Sequence, residues 1–408
     1  MNIINVPRRF TASAWGGTET VILKTSQQLN RSGHKSQIFT TTALDANSQE
    51  TMDNIPVRRF AYNYPFFGLT SADIAELDRK GGNLLSLPLL WGLLREPDVN
   101  ILHAHSGKRL GGVVRTAARM RSIPYVVTLH GGIFDVPAVE QQRLTEPLNG
   151  AFEWGRVMGA LLGSRSVLDD AAAIICVGAN EAQAAQKALP NKRIEYIPNG
   201  VDVDAFKQGN GDAFRAKFGI PSDARIILCV SRIDYQKNQI GLVEALPTIL
   251  EADQNTHIVL VGPVTIPQYN QKLQKRIEQL GVSEKVTVIP GLKPDDPMLS
   301  NAFHAAEIFC LPSLHEPFGI VILEAWAAGL PVAAANVGGV PSFTTDGEDI
   351  IHFDSQHPKR IAAALVQLLE NPEQKKFIAA NGKRKAQTQY SWSIIGEQML
   401  HLYEDLVR

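Results

Sequence analysis

Two carboxylates mark the segment of the sequence with the strongest chemical signal. Residues 312–325 read PSLHEPFGIVILEA, which sets Glu316 and Glu324 eight positions apart. Because Pro317 disfavours helix for the residue before it, we expect Glu316 in a loop and Glu324 about one turn inside the following helix. Carboxylates accept hydrogen bonds from sugar hydroxyls, so both side chains can serve one ligand.

The start of that helix adds an expected anion site. Backbone N–H groups in the first turn of a helix lack an intrahelical acceptor and lie at the positive end of the helix dipole. Here they belong to Phe318, Gly319, Ile320 and Val321. A phosphate held there beside two carboxylates would suit a nucleotide-sugar. The alternative interpretation is a capping loop followed by a surface glutamate.

A second charged segment, residues 231–238, follows the apolar run RIILCV directly. Arg232 and Lys237 would leave the carboxyl end of a strand together, where two cations can neutralise a diphosphate. The alternative is a solvated charged loop. No Asp-x-Asp follows a strand where a Mg²⁺–diphosphate site would need it. We therefore expect no metal, with Arg232, Lys237 and helix dipoles in its place.

The first half of the chain offers weaker signals. Gly16 and Gly17 precede a helix, and glycines let backbone amides approach a phosphate, although a plain turn explains the pair equally well. The G-x-G-x-x-G spacing of dinucleotide-binding proteins does not occur in the sequence. His130 ends an expected strand and can hold a sugar hydroxyl or share a proton.

Two further groups of residues have plain alternatives. His103 and His105 fall on one face of a strand, which would suit a metal, but no further ligands follow at useful spacing, and polar strand-end histidines are favoured. Arg115 and Arg119 share a helical face, with Arg121 nearby. That face would suit anionic lipid or an acidic acceptor, while a solvated surface is the simpler interpretation.

Composition sets the broad class. The chain has 408 residues, 44% of them hydrophobic, and a formal net charge of −1, which favours two globular domains and gives no sign of a nucleic-acid partner. Cys176, Cys229 and Cys310 each lie inside an apolar run and are expected to be buried strand residues of a reducing compartment. With no signal-peptide or membrane-span pattern, we expect a cytoplasmic protein, possible surface contact with a membrane being left open.

Short apolar runs alternate with helical patterns, which predicts parallel sheets with helices on both faces. Ligands of such sheets bind at the carboxyl ends of the strands, where the residues above fall. The expected strands are Ile3–Val6, Ser36–Thr41, Ile101–His105, Tyr125–Leu129, Ala173–Val177, Ile194–Ile197, Arg225–Ser231, Thr256–Gly262, Val286–Ile289, Ile308–Pro312 and Val332–Ala335.

The alternation occurs in two blocks, which predicts an α/β protein of two doubly wound, Rossmann-like domains facing each other across a cleft. We expect the first domain over residues 1–198, the second over 199–390 and a closing helix over 391–408. The polar stretch Asp202–Pro221 is expected to be the linker. Leu84–Leu94, around Trp91, is apolar at nearly every position and is expected to be core, whereas Ala43–Gly82 matches no pattern.

Taken together, these residues resemble the retaining glycosyltransferases of family 4, whose two-domain fold is called GT-B. The resemblance covers nearly the whole chain, and its Glu-Pro-Phe-Gly block is the most specific part. The matching segments are Gly16-Gly17, Gly33-His34, Thr128 with His130-Gly131, Ile197–Asp202, Ser231-Arg232 with Lys237, Val261-Gly262, Pro312–Ala325, Ala328–Val332 and Gly338-Gly339.

The resemblance implies a role for each matching residue. Glu316 would bind hydroxyls of the donor sugar and Glu324 the ribose, while Arg232 and Lys237 stabilise the departing diphosphate. Amides at Gly17 and at residues 318–321 would support phosphate and sugar, and His130 would lie near the sugar. The donor-binding residues expected are Gly16, Gly17, Asn199, Gly200, Arg232, Lys237, Glu316, Phe318, Gly319, Ile320, Val321 and Glu324.

The chain also departs from the family pattern. Ser342 stands where a glutamate is usual, Ile350 where a second glycine is usual, and Lys237 is followed by Asn238. These departures leave the reaction class unchanged and blur the choice of sugar. The family's last helix packs back on the first domain, which suits the apolar stripe Ile394, Ile395, Met399, Leu402 and Leu406.

The predicted activity is transfer of a hexosyl unit from an NDP-sugar, with UDP preferred over GDP, to an acceptor hydroxyl with retention of configuration. The catalytic residues would be His130, Arg232, Lys237 and Glu316. The acceptor would be a saccharide or a lipid-linked molecule, in polysaccharide or glycoconjugate synthesis. We expect a monomer or dimer with at most weak peripheral membrane contact. Two alternatives stay open: an NDP-sugar epimerase and a non-catalytic sugar-nucleotide-binding protein. A dinucleotide oxidoreductase is disfavoured.

Overall fold

The computed structural model describes residues 1–130, 152–292 and 296–408. They form two compact units, the first made of Met1–Asn199 with Ile395–Arg408 and the second of Gly200–Ile394. Gly131, part of the histidine motif, lies outside the described residues.

The described part of the first unit is built on a largely parallel sheet. Its strands are β1 (Asn2–Val6), β2 (Lys35–Thr41), β3 (Gln49–Met52), β4 (Ile55–Phe60), β5 (Phe66–Phe67), β6 (Ile101–Ala104), β7 (Tyr125–Leu129), β8 (Phe152–Glu153), β9 (Ala173–Cys176) and β10 (Ile194–Tyr196). Its helices are α1 (Gly17–Arg31), α2 (Ser71–Lys80), α3 (Leu87–Arg95), α4 (Lys108–Arg121), α5 (Arg156–Leu161), α6 (Val167–Asp170) and α7 (Ala179–Ala188).

Eight of these strands form one sheet in the order β10-β9-β7-β6-β1-β2-β4-β3, and only β3 runs antiparallel to its neighbour. The central strands are short, mainly apolar segments buried on both faces, as strands of a parallel sheet covered by helices must be. The direction in which strands are added reverses between β1 and β6. Ligands of open α/β sheets bind at such a reversal, outside the carboxyl ends of the strands.

The second unit repeats this plan with six parallel strands in the order β13-β12-β11-β14-β15-β16. The strands are β11 (Arg225–Val230), β12 (Thr256–Val261), β13 (Val286–Ile289), β14 (Ile308–Leu311), β15 (Val332–Ala335) and β16 (Ile351–Phe353). The helices, counted over the described residues, are α8 (Gly211–Phe218), α9 (Gln239–Ala252), α10 (Pro267–Gln279), α11 (Pro297–Ala305), α12 (Ile320–Ala328), α13 (Pro358–Glu370), α14 (Pro372–Gln389) and α15 (Trp392–Val407). Here the reversal falls between β11 and β14.

The closing helix α15 leaves the second unit and joins the first from Ile395 onward. In the part that joins the first unit, its buried side chains are Ile395, Met399, Leu402 and Tyr403. Three of them belong to the predicted stripe, and Tyr403, which the stripe omitted, is fully buried. Gly396 lies against Gln28 of α1, where an added Cβ would come within 2.5 Å of the Gln28 side chain.

One expectation about chain organisation was wrong, and the expected core segment Leu84–Leu94 was confirmed only in part, for the buried Leu84, Leu85, Leu89 and Leu93. The predicted linker Asp202–Pro221 belongs to the second unit and contains α8, whose start is capped by the Asn210 side chain. Phe206 and Phe214 from this stretch are buried in that unit's core, because two aromatic side chains outweigh the polar residues around them. Trp91 is 56% exposed and lies under the Arg95 guanidinium, since α3 buries only the Leu89 and Leu93 side of the helix.

Candidate active site

Three loops follow the neighbouring strands β11, β14 and β15 at the reversal point of the second unit. Two hydrogen bonds connect the first two loops: the Leu314 N–H donates to the Gln236 carbonyl at 2.8 Å, and the Gln236 side-chain Nε2 donates to the His315 carbonyl at 2.9 Å. The third loop joins them where the Gly339 N–H donates to the Glu316 carbonyl at 2.8 Å. The predicted carboxylate loop and the predicted cation loop therefore form one surface.

At the centre of this surface Lys237 and Glu316 form an ion pair. Lys237 Nζ lies 2.5 Å from Glu316 Oε2, and the Ser313 hydroxyl donates to the same oxygen at 3.1 Å. The two charged side chains are only 12% and 8% exposed. A charge buried to this extent needs a partner, so each side chain holds the other in place. The sequence analysis expected Lys237 and Glu316 to bind the same ligand but did not predict that the two side chains would contact each other.

Arg232 differs from Lys237 in its environment. Its side chain is 52% exposed and contacts Gln236 Oε1 at 3.2 Å and Asp234 Oδ2 at 3.4 Å. Asp234 is itself buried, and its carboxylate accepts from the backbone N–H of Lys237. Arg232 is thus an accessible cation at the edge of the surface, and Asp234, which the sequence analysis did not single out, holds the turn that carries Lys237.

The predicted anion site at the start of α12 is open at its backbone. Gly319 precedes the helix with a φ of 94°, and no side chain of the described residues caps it. A residue with a Cβ would be strained at that φ, so glycine is required for the turn. Phe318 is buried and stacks on Phe343 with ring centroids 4.5 Å apart, which anchors the first free amides.

Two glycines let the third loop approach the Glu316 loop. A Cβ on Gly338 would lie 2.2 Å from the Glu316 carbonyl oxygen, and a Cβ on Gly339 would lie 2.0 Å from that of Pro317. Both distances are far inside van der Waals contact, and Gly338 also has a φ of 57°. These glycines therefore fix the position of Glu316 through its main chain.

Glu324 lies in the second turn of α12, as predicted. Although part of its side chain remains accessible, burial raises the pKa of this carboxyl to about 7. Glu324 therefore exchanges its proton near neutral pH, a property that sequence spacing could not indicate.

Two of the three departures from the family pattern, Ser342 and Ile350, have clear structural surroundings. Ser342 donates its hydroxyl to the Gly339 carbonyl at 2.5 Å, and Ile350 is fully buried in the core of the second unit. Ser342 thus supports the same glycine turn on which Glu316 rests.

Gly16 and Gly17 lie in the first unit at the start of α1, with Gly16 as the residue before the helix. A neighbour that the sequence analysis missed, Glu19, is buried in the first turn with Arg9 Nε at 3.5 Å. Burial raises the pKa of Glu19, opposed by Arg9 and by the backbone N–H groups of Glu19 and Gly16. The Glu19 carboxylate therefore already takes part of the expected anion site; an acid in the first turn of a helix was the available signal.

His130 follows β7 and contacts a second histidine. Its Nε2 lies 2.9 Å from His105 Nδ1, and His105 Nε2 lies 3.0 Å from Asn5 Oδ1. Burial lowers the pKa of His130 to about 4 and that of His105 well below its usual range, so both rings are neutral at pH 7.

His103 forms a neighbouring buried bridge. Its two ring nitrogens lie 2.6 Å from the Thr128 hydroxyl and 2.6 Å from the Tyr403 hydroxyl, and burial lowers its pKa to about 3. The interpretation of His103 and His105 as polar strand-end histidines agrees with these contacts. Within residues 1–130, 152–292 and 296–408, no group of three or more His, Cys, Asp or Glu residues is arranged to hold a metal ion.

Asn199 and Gly200 lie where the chain passes from the first unit to the second. A Cβ on Gly200 would come within 2.6 Å of the Trp392 ring, so this glycine has a packing role. Asn199 is buried, and its Oδ1 has no hydrogen-bond partner among the described residues.

The remaining candidates have structural roles. Arg115 and Arg119 both pair with Asp170, and Arg121 donates to the Leu93 carbonyl at 2.5 Å, although the Arg119 side chain is still 64% exposed. All three cysteines are buried free thiols, each within a strand or at its end. None of the described helices is long and apolar enough to span a bilayer.

Comparison with known proteins agrees with this geometry. Residues 15–205 match the family model of Glycosyltransferase Family 4, and residues 210–385 match that of Glycosyl transferases group 1. The D-inositol 3-phosphate glycosyltransferase of Mycolicibacterium smegmatis is 30% identical, over 95% of this chain and 86% of that protein. The D-inositol 3-phosphate glycosyltransferase 1 of Catenulispora acidiphila is 28% identical, over 96% and 91%.

A solved structure shows the same fold. Alr3699/HepE of Anabaena, crystallised with UDP and glucose, superposes over 100% of both chains with a TM-score of 0.72 at 20% identity. Together with the paired Rossmann-like sheets and the matched sequence models, this assigns the chain to the GT-B fold. The protein is a glycosyltransferase that belongs to glycosyltransferase family 4.

Proposed function

We propose that this protein transfers a hexosyl unit from a nucleotide-sugar, with UDP as the nucleotide, to an acceptor hydroxyl with retention of configuration. The observation that carries the proposal is the buried Lys237–Glu316 pair at the reversal point of the second sheet. Burying charged side chains is costly to a fold. A buried ion pair at the edge of a sheet where ligands bind therefore indicates that the pair contacts a ligand.

The diphosphate would lie against two kinds of positive group. Lys237 and the accessible Arg232 supply full charges, and the uncapped amides of Phe318–Val321 supply the positive end of α12. Negative charge grows on the diphosphate as its bond to the sugar breaks. Fixed donors aimed at such developing charge stabilise the transition state more than the ground state, which raises the rate.

Glu316 would orient the sugar. Lys237 and Ser313 both contact Oε2, and no described residue is hydrogen-bonded to Oε1, so Oε1 can accept a hydrogen bond from a sugar hydroxyl. Glu324 would accept from the ribose hydroxyls when ionised. Neither carboxylate needs to form a covalent bond, and attack by the acceptor from the face of the departing diphosphate gives the retained configuration.

In the first unit, His130 would hold a hydroxyl of the sugar, since its ring is neutral and its Nδ1 is not used in the contact with His105. Gly16 and Gly17 are proposed as donor contacts through their amides, with Glu19 as the competing anion. Asn199 and Gly200 complete the proposed donor residues; Asn199 Oδ1 is buried and has no hydrogen-bond partner among the described residues.

The nucleotide and the acceptor are proposed on different grounds. UDP is favoured because the superposed HepE structure contains UDP and glucose. The acceptor is a hydroxyl of a saccharide, lipid-linked saccharide or polyol; the named acceptor of the curated relatives, D-inositol 3-phosphate, belongs in the first panel tested.

The test is a thermal-shift screen against UDP-, GDP- and ADP-sugars, followed by transfer assays with the stabilising donor and a panel of acceptors. We expect stabilisation by a UDP-hexose and a product whose anomeric configuration, read by NMR, matches the donor. Conversion of the donor in the absence of any acceptor would indicate an epimerase instead. Binding without transfer to any acceptor would indicate a sugar-nucleotide-binding protein, and stabilisation by none of the donors would contradict the proposal.

A further inference from the structure

A row of buried polar side chains runs across the first sheet and ends at His130. It starts with Ser26 of α1 and Ser36 of β2, continues through Asn5 of β1 and His105 after β6, and reaches His130 after β7. Asn5, Ser26 and Ser36 are almost completely buried. Buried hydrogen bonds are directional, so counting the hydrogens fixes which atom donates at each step.

The count begins with the three contacts among Asn5, Ser26 and Ser36. Asn5 Nδ2 lies 3.2 Å from Ser26 Oγ and 3.0 Å from Ser36 Oγ, and Ser36 Oγ lies 2.9 Å from Ser26 Oγ. Three contacts need three hydrogens, which two amide hydrogens and one hydroxyl hydrogen supply. If the amide were reversed, its oxygen would supply none, and the two hydroxyls could satisfy only two contacts. The amide oxygen of Asn5 therefore faces His105.

The oxygen of Asn5 can only accept a hydrogen bond, so the proton of His105 must reside on Nε2. A neutral imidazole carries one proton, which leaves His105 Nδ1 as an acceptor. The hydrogen of the contact between the two rings then belongs to His130 Nε2. His130 is neutral as well, so its Nδ1 carries no proton.

We propose that Asn5 and His105 are positioning residues that hold His130 in its Nε2–H tautomer, so that Nδ1 presents a hydrogen-bond acceptor to a ligand hydroxyl. Such a site selects a group that donates a hydrogen bond and disfavours a bare acceptor or an anion. That the hydroxyl belongs to a sugar rests on the proposed function, whereas the tautomer does not.

The same row also limits what His130 can do with a proton. A proton taken up at His130 Nδ1 could be passed along the row only from His130 Nε2 to His105. His105 would then have to release its own Nε2 proton to the amide oxygen of Asn5, which is not basic enough to accept it. Proton transfer along the row therefore stops at Asn5. His130 acts through a fixed hydrogen bond and does not carry protons away.

The direct test is a ¹H–¹⁵N two-bond correlation spectrum of the full chain labelled with ¹⁵N-histidine, recorded at pH 7 without ligand. We expect both His105 and His130 to have a protonated Nε2 and a bare Nδ1. A protonated Nδ1 on either ring would overturn the proposal. Because no substrate is present, failure of the proposed sugar transfer would appear only in the activity assay and would leave this result unaffected.

A pair of variants tests the role of Asn5. Asn5→Leu removes the acceptor and should give His130 a mixture of tautomers, with kcat/KM lowered about tenfold, the usual size of one lost hydrogen bond to a reacting ligand. Asn2→Leu is the matched control, since Asn2 is a buried asparagine of the same strand that contacts Gln37 and Pro97 and no histidine. It should change neither the tautomer nor kcat/KM.

Wild-type activity and tautomers in Asn5→Leu would contradict the proposal, and the wild-type spectrum decides the tautomer even if Asn5→Leu does not fold.

Discussion

The two units of this protein solve the same structural problem with different chemistry. Each places polar side chains at the carboxyl ends of parallel strands, next to the point where strand order reverses. The first unit fills that position with neutral histidines bonded through directed hydrogen bonds. The second fills it with a buried ion pair beside free helix amides.

The difference follows from what each arrangement can bind. A neutral imidazole with a fixed tautomer recognises a hydroxyl and makes little contribution to binding a diphosphate. A lysine held by a carboxylate, next to the positive end of a helix, attracts phosphate charge and leaves carboxylate oxygen for hydroxyls. The strand order therefore determines where a ligand can bind, and the side chains at that position determine which part of the ligand is bound there.

Removing the positive charge of Lys237 from the second unit should have the largest effect. Lys237→Met should lower kcat/KM by about 10³-fold, because losing one group that stabilises developing charge costs about 10²–10³-fold and Glu316 loses its partner as well. Lys375→Met is the matched control, since Lys375 is a half-buried lysine of the same unit that pairs with Glu307. Steady-state kinetics that show equal effects for the two variants would count against a role for Lys237 in the reaction.

The backbone support of Glu316 should give the next largest effect. Gly338→Ala places a Cβ 2.2 Å from the Glu316 carbonyl at a φ of 57°, so we expect a loss of about 2–4 kcal/mol in the free energy of unfolding, together with reduced activity. Gly347→Ala is the control: its φ is 75°, but a Cβ there meets open space. It should cost only about 1 kcal/mol in urea denaturation and leave activity unchanged.

Acid should weaken the first unit through its histidines. The pKa of His103 is about 3 in the folded protein and near its usual value when unfolded, so the unfolded state binds the extra proton and stability falls as pH falls below about 6.5. Between pH 5.5 and 4.5, His103→Gln should reduce that loss by about 1.4 kcal/mol per pH unit, measured by hydrogen exchange in β7.

The same exchange experiment contains its own control. In His257→Gln the change should appear in β12 of the second unit, where burial lowers the pKa of His257 to about 4. An unchanged pH dependence in β7 of His103→Gln would show that His103 is not buried as a neutral ring.

The smallest predicted effect concerns Glu324. With a pKa of about 7, this carboxyl is mostly protonated at pH 6 and mostly ionised at pH 8. Only the ionised form accepts two hydrogen bonds from ribose hydroxyls, so donor affinity should rise about fivefold over that interval. Calorimetric titration of UDP at both pH values checks this, and Glu324→Gln should remove the dependence. An equal rise in that variant would assign the dependence to another group.

Much of this protein follows from its sequence. The strands with apolar runs, the loop before α12 and the position of Glu324 are local features, set by hydrophobic period and by Pro317. The β4 strand was missed because Arg59 occupies a core position in place of an apolar residue, and its ion pairs with Asp45 and Glu50 are invisible in the sequence. The linker was misassigned for a related reason, since Phe206 and Phe214 supply burial within a polar stretch.

The contacts within the site are a different matter. The Lys237–Glu316 pair joins residues 79 positions apart, and the His105–Asn5 contact joins residues 100 positions apart. Which side chains meet at the end of a sheet depends on strand order, which the apolar pattern does not encode. Candidate residues could therefore be chosen from the sequence, but the contacts between them could not be predicted.

Hydrogen–deuterium exchange with and without UDP tests most directly whether the second unit binds the diphosphate. The amides of Phe318–Val321 at the start of α12 are open in the free protein and would be hydrogen-bonded to phosphate when UDP is bound. We predict slower exchange in this segment in the wild type and in Lys375→Met, and a much smaller effect in Lys237→Met. Unchanged exchange at Phe318–Val321 under saturating UDP would contradict the account.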